Sequence, residues 1–164
     1  GKRPNEDYDL EVVYLICVLH DMGLTDEGNT DQRFEVEGAD LAAALLTKHG
    51  VATADVDRVW EAIALHTTPD IAVRRGLLAL LTFEGIYIDF GKNADLVAEW
   101  APTIHAVYPR QAMVRSMADA ILTHAARSEG AAQRYTFAHT LVRERETDGQ
   151  TFMESTVING PWGE

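Results

Sequence analysis

The stretch Leu-Glu-Val-Val-Tyr-Leu-Ile-Cys-Val-Leu, residues 10–19, decides the fold because it is an apolar run that ends directly in His20-Asp21. Asp9 can cap a helix here and Gly23 can stop it, which predicts one helix that runs from this stretch through about Met22. Burying two polar side chains without partners is costly. The pair either caps the helix end by hydrogen bonding or binds a divalent metal ion, which the negative partial charge of a helix C-terminus favours.

The same helical pattern continues through most of the chain. Apolar spacing and stop signals predict further helices at 34–49, 56–66, 73–89, 96–108, 110–127 and 131–145. The tail, 147–164, carries Gly, Pro and Asn and is predicted to be irregular. The three tryptophans are expected to pack, with Trp162 fastening the tail to the body. No alternating strand–helix pattern and no repeat occurs, which predicts an all-α helical bundle.

Composition limits the kind of protein this is. The chain has 164 residues, of which 46% are apolar, and this predicts a single domain over 1–164. No apolar run approaches the ~18 residues of a membrane span, and no signal peptide is visible. The formal charge of −12 argues against nucleic acid or an anionic membrane as a partner. One cysteine, Cys17, cannot form an internal disulfide, and a cytoplasmic location is expected.

Two further polar residues lie at helix ends. His66 follows a predicted helix and either faces a polar cavity or sits on the surface of the last turn, where the helix dipole favours it. Asp89 is the one charge in Gly85-Ile-Tyr-Ile-Asp-Phe-Gly91. An isolated buried carboxylate is expensive, so it should bind a metal, cap the turn at Gly91 or pair with Lys92.

Charged residues near these ends are candidates for binding substrate. Arg33, Glu35 and Glu37 begin the second predicted helix, where acidic residues stabilise a helix N-terminus and also could line a pocket rim. Lys92 could bind a phosphate or be solvated at its helix end. The sequence leaves both interpretations open, with Arg33, Glu35 and Lys92 as the substrate-binding candidates.

Taken together, these segments resemble a known family. The string Tyr14-Leu-Ile-Cys-Val-Leu-His-Asp-Met-Gly-Leu-Thr25 resembles the second motif of the HD superfamily of metal-dependent hydrolases. Arg33-Phe-Glu-Val-Glu-Gly-Ala39 and Ile63-Ala-Leu-His-Thr67 look like motifs of its cyanamide-hydratase-like branch. The segment 85–91 is similar to the one that holds the superfamily's last aspartate. The resemblance covers about 8–110, leaving 111–164 as C-terminal helices and tail.

The resemblance implies an HD-domain-like bundle with His20, Asp21 and Asp89 as metal ligands. It implies catalytic roles for Asp21 and His66, with His66 as a further ligand or a polar group facing substrate. Imidazole and carboxylate ligands suit a divalent transition metal such as Zn, Fe, Mn or Ni. The superfamily's pattern starts with an upstream histidine, and residues 1–19 contain none. We expect that helix to be missing from this chain, although three ligands plus water are viable for zinc.

The expected function is that of a metal-dependent hydrolase acting on a small-molecule substrate, with a phosphoester as one option. One alternative is a cyanamide-hydratase-like hydro-lyase that adds water to a nitrile-type carbon. Another is a degenerate HD domain that binds a ligand or partner without catalysis. The sequence leaves homo-oligomer formation open.

Overall fold

A computed structural model describes residues 1–163, and its architecture is all-α, as predicted. Three short 3-10 helices join the α-helices, at Met22–Leu24, Ala72–Arg74 and Ala94–Val97. The α-helices are α1 (Leu10–Leu19), α2 (Phe34–Lys48), α3 (Thr53–Leu65), α4 (Leu77–Asp89), α5 (Ala101–Val107), α6 (Met113–Ala125), α7 (Phe137–Asp148) and α8 (Phe152–Ile158).

The buried apolar side chains form two clusters. The first joins α1 to α4 around Ile16 and Ile63, both fully buried. The second joins α6, α7 and α8 around Ile121 and Leu141, and it includes Phe34 from the first turn of α2. Because α2 contributes to both clusters, its N-terminal end lies where the two halves of the molecule meet.

Several predicted helix boundaries differ from the observed ones; α5, for example, begins at Ala101 instead of 96, and α7 covers Phe137–Asp148 instead of 131–145. Asp9 caps α1 as expected, since its carboxylate accepts hydrogen bonds from the backbone N–H groups of Glu11 and Val12. However, α1 ends at Leu19 and a 3-10 turn follows, so His20 is the C-cap rather than part of the helix. The fourth helix begins at Leu77 instead of 73, because Gly76 adopts a φ of 105°, which a helix does not allow.

The prediction of an irregular tail is wrong. Residues Phe152–Ile158 form α8, and Thr151 and Glu154 close a capping box at its start. The indole N–H of Trp162 donates to the carbonyl of Ile88 at 2.9 Å, which confirms that the tail is fastened to α4. Trp100 was expected to pack, yet it is 60% exposed at the start of α5. Glu164 lies outside the described residues.

Close backbone contact between Gly23 and Gly38 fixes the turn that carries His20 and Asp21. A Cβ on Gly38 would lie 2.9 Å from the backbone nitrogen of Gly23, and a Cβ on Gly23 would lie 2.8 Å from that of Gly38. Real side chains do not come this close to backbone atoms. The two glycines therefore let the turn after α1 pack directly onto α2.

Two acidic residues of α2 point inward. Glu35 and Glu37 lie in the first turn of α2, as expected, but both are buried. Glu37 accepts a hydrogen bond from the backbone N–H of Thr30 and pairs with the buried His124 of α6 at 2.7 Å. This pair links the two clusters. Among residues 1–163, no helix combines the length and the apolar character needed to cross a bilayer.

Candidate active site

His20, Asp21 and His66 converge where the ends of α1 and α3 meet. His20 Nε2 lies 3.2 Å from one oxygen of Asp21, and His66 Nε2 lies 3.8 Å from the other. The two imidazole rings meet edge to face, with centroids 5.2 Å apart. The site is partly enclosed, because His66 is only 4% exposed while His20 and Asp21 keep contact with solvent. The structure thus brings together three of the residues that the sequence singled out.

Backbone carbonyls fix the orientation of both imidazoles. His20 Nδ1 donates to the carbonyl of Cys17 at 2.8 Å, and His66 Nδ1 donates to the carbonyl of Ile63 at 2.6 Å. In a neutral imidazole the other nitrogen then carries a lone pair. When both imidazoles are neutral, both Nε2 atoms therefore present lone pairs toward the Asp21 carboxylate. An arrangement of acceptors facing acceptors needs a cation between them, either a proton or a metal ion.

The three groups differ in how they titrate. Burial disfavours the charged form of His20, but the hydrogen bond and charge of Asp21 outweigh it and raise the pKa of His20. Burial also opposes ionisation of Asp21, yet the hydrogen bond and charge of His20 hold its pKa below the usual range. For His66, burial dominates the attraction of Asp21 and lowers the pKa. The shift of the His66 pKa therefore favours its neutral form, whereas the shifts of the His20 and Asp21 pKa values favour their charged forms, with a proton shared between His20 and Asp21.

Asp89 lines the same cavity but has a partner that the sequence did not reveal. Its carboxylate accepts a hydrogen bond at 2.6 Å from Arg110, whose side chain is only 6% exposed. Lys92, the partner considered earlier, instead lies 3.6 Å from Glu84 and over the ring of Tyr87. The negative charge of Asp89 still acts on His20. Asp89 is therefore close to the histidines but held by an arginine.

Glu35 supports the site from beneath. Its Oε1 accepts hydrogen bonds from Thr67 at 2.5 Å and from Arg33 at 2.8 Å, and the second oxygen, Oε2, has no partner. Thr67 follows His66 directly and lines the cavity. Glu35 does not line the cavity, so it acts on the site through Thr67. Thr67 and Arg110 are the residues that sequence reasoning did not single out.

A cavity of about 700 Å³ opens beside these residues. We call His20, Asp21, His66 and Thr67 the polar head of the cavity. Opposite it lies the apolar wall, contributed by α6, α7 and α8 and made of Met113, Met117, Ile121, Phe137 and Met153. The cavity lies between the two apolar clusters, and each half of the molecule contributes one side.

The donor set suits a divalent metal ion. Two imidazole nitrogens and a carboxylate are ligands that Zn, Fe, Mn and Ni accept, and hydrogen bonds from the opposite Nδ1 atoms are the usual support for such ligands. Within residues 1–163, no group of three His, Cys, Asp or Glu side chains is placed so that it could hold a metal ion. The donor types suit a metal ion, but His20, Asp21 and His66 do not form a metal-holding arrangement in this structure.

Comparison with protein-family models, curated proteins and solved structures gave no match for this chain.

Proposed function

We propose that the chain is a metal-dependent hydrolase of the HD type that uses water to cleave a small-molecule substrate. One observation carries the proposal: His20 Nε2 and His66 Nε2 both face the Asp21 carboxylate, while their Nδ1 atoms are tied to backbone carbonyls. A cation resolves this arrangement, and a cavity large enough for a substrate lies beside it. The resemblance of residues 8–110 to the HD superfamily agrees with this chemistry.

His20, Asp21 and His66 would hold the ion. When bound, a divalent ion supplies Lewis-acid activation of water near neutral pH. Asp21 has two carboxylate oxygens, so one can hold the ion while the other orients water and accepts its proton. In a phosphodiester the water oxygen forms the new bond to phosphorus, the bond to the leaving alcohol breaks, and the alcohol oxygen takes up a proton.

Other residues around the cavity position the reactants. The Thr67 hydroxyl, held by Glu35, lies next to His66 and can fix the orientation of a substrate oxygen. The apolar wall keeps bulk water away from the reacting group, which strengthens electrostatic interactions there. Asp89 would join the ligands if Arg110 released it.

Addition of water to a nitrile-type carbon is a second candidate, favoured by the cavity's charge. Lys92 is the one Lys or Arg among the described residues that line the cavity, and Glu84 already pairs with it. A substrate with several phosphate charges would find few partners here. A neutral nitrile or a singly charged phosphodiester meets no such difficulty.

The test is metal binding followed by turnover. The chain is stripped with a chelator, titrated calorimetrically with Zn, Mn, Ni and, without oxygen, ferrous iron, and assayed with bis(4-nitrophenyl) phosphate and with cyanamide. We expect one equivalent of a metal to bind and one of the two substrates to turn over. Binding of none of the four metals would contradict the proposal, and metal binding without turnover of either substrate would favour the non-catalytic alternative.

A pair of variants tests whether turnover depends on the polar head. Asp21→Asn should reduce turnover by about 100-fold or more, as loss of a positioned acid–base group does. Asp57→Asn is the matched control, because Asp57 is exposed on α3 and is not among the residues that line the cavity. Thermal unfolding should show that both variants remain folded.

A further inference from the structure

The cavity beside the polar head is large for the smallest substrates of the proposed chemistry. At roughly 30 Å³ for each water molecule, its volume of about 700 Å³ has room for on the order of twenty water-sized groups. Cyanamide has three heavy atoms and would leave most of this space empty. The size instead falls within the range of about 300–1,000 Å³ that is typical for drug-sized ligands.

The lining contains two chemically different groups of residues, the polar head and the apolar wall, with Asp89 and Lys92 as further charged side chains. The head offers two imidazoles, a carboxylate and a hydroxyl, whereas the apolar wall offers carbon and sulfur atoms. Three of the four methionines in the chain lie in this wall. Methionine is flexible and polarizable, so a wall rich in it adapts to apolar groups of differing shape.

We infer that the cavity binds an amphiphile whose single polar, uncharged or singly charged group lies at the head and whose apolar body, of about eight to twelve carbons, packs against the wall. The inference rests on the proposed function only for the identity of the reacting end. The apolar body accounts for the remaining volume, and the single Lys or Arg among the described lining residues, Lys92 paired with Glu84, argues against a polyanionic ligand.

Gly85 of α4 offers a way to obstruct the edge of the cavity without disturbing the fold. Gly85 lines the cavity, and a Cβ built on it meets no heavy atom within 4 Å beyond its own helix and neighbours. Gly85 is exposed, so a leucine there would extend into open space at the edge of the cavity. The substitution also replaces a helical glycine by a residue that favours helix.

The experiment measures binding of 1-butanol, 1-hexanol and 1-octanol by calorimetry, with EDTA present so that metal chemistry plays no part. Burial of each methylene contributes about 0.8 kcal/mol, or roughly fourfold in affinity. Affinity should therefore rise by about 250-fold from four to eight carbons. Pyrophosphate, a highly charged probe, should not bind measurably.

Gly85→Leu should weaken 1-octanol binding at least tenfold while leaving a chain that unfolds at the same temperature or higher. Ala44→Leu places the same side chain on an exposed position of α2 and should leave the affinity unchanged. Met117→Trp fills the cavity from the opposite side and should reproduce the loss. Affinity that varies less than threefold along the series, unchanged affinity in both cavity variants, or pyrophosphate binding tighter than 1-octanol would overturn the inference.

Failure of this inference is distinguishable from failure of the proposed function. If the chain binds the alcohols in this graded way but hydrolyses and hydrates nothing, the amphiphile site stands without the enzyme. If cyanamide turns over while the affinity for the alcohols does not change with chain length, the proposed enzyme is supported and the amphiphile site is wrong.

Discussion

The two sides of the cavity differ in how their residues are placed and held. The polar head comes from helix ends in the first half of the chain, and each of its imidazoles is tied to a backbone carbonyl. The apolar wall comes from side chains along α6, α7 and α8 that pack without hydrogen bonds to each other. We propose that this difference is a division of labour, in which the head would perform chemistry that demands fixed geometry and the wall would select the substrate by volume.

A substitution that displaces the turn carrying the polar head should have the largest effect on the free energy of unfolding. Gly38→Val drives a branched side chain into the backbone of Gly23, so we expect a loss of more than about 3 kcal/mol in the free energy of unfolding. Chemical denaturation measures it. Ala44→Val, on an exposed position of the same helix, should cost under about 1 kcal/mol. Equal stability of the two variants would show that the glycine contact does not hold the head.

The link between the two halves should be the next most sensitive feature. Glu37→Ala leaves the backbone N–H of Thr30 and the buried His124 without their partner, so we expect a loss of about 2–4 kcal/mol in unfolding free energy. Glu129→Ala, an exposed carboxylate, should change stability by less than about 0.5 kcal/mol. A Glu37→Ala chain as stable as the control would contradict a linking role.

The same carboxylate predicts an acid dependence. Burial opposes its ionisation, but hydrogen bonds from His124 and Thr30 prevail and lower the pKa of Glu37. Its contribution is therefore complete above the unfolded value of about 4.3 and is lost as the pH falls through the lower folded value. The stability difference between wild type and Glu37→Gln, measured from pH 7 to pH 2.5, should shrink toward acid. A difference independent of pH would contradict this assignment.

How much the sequence could predict depends on how far apart along the chain two interacting residues lie. Local sequence patterns were enough to predict the cap at Asp9 and the helical class. They also showed that His20, Asp21 and His66 lie at helix ends. Glu35 meets Thr67 from 32 positions away and Glu37 meets His124 from 87, so no local pattern could show why two acids are buried. Asp89 likewise pairs with Arg110, 21 residues on. The capping box at Thr151 and Glu154 was a local signal that could have revealed α8.

Removal of the hydrogen bond between Thr67 and Glu35, beneath the polar head, should have a smaller effect on the free energy of unfolding. Thr67→Val keeps the shape of the side chain but removes the hydrogen bond to Glu35, and we expect a loss of about 1–2 kcal/mol. Thr67→Ser keeps the hydroxyl and should restore most of it. If Thr67→Val and Thr67→Ser unfold alike, the hydrogen bond to Glu35 does not support the head.

Changes in the wall should be tolerated best. Met117→Leu nearly conserves volume, so its cost should stay under about 1.5 kcal/mol. The more rigid side chain should narrow the range of ligand shapes, seen as weaker binding of a branched alcohol relative to 1-octanol. A loss above about 3 kcal/mol would mean that the wall is as rigid as a packed core.

The division of labour is tested most directly by kcat/KM for a series of 4-nitrophenyl alkyl phosphates, from methyl to octyl, with wild type, Asp21→Asn and Gly85→Leu. Asp21→Asn should lower the rate by a similar factor, about 100-fold or more, for every chain length. Gly85→Leu should leave the methyl ester nearly unaffected and lower the octyl ester at least tenfold. The proposed division of labour would be contradicted if the loss of kcat/KM in Asp21→Asn depended on the length of the alkyl chain. It would also be contradicted if Gly85→Leu lowered kcat/KM equally for every ester.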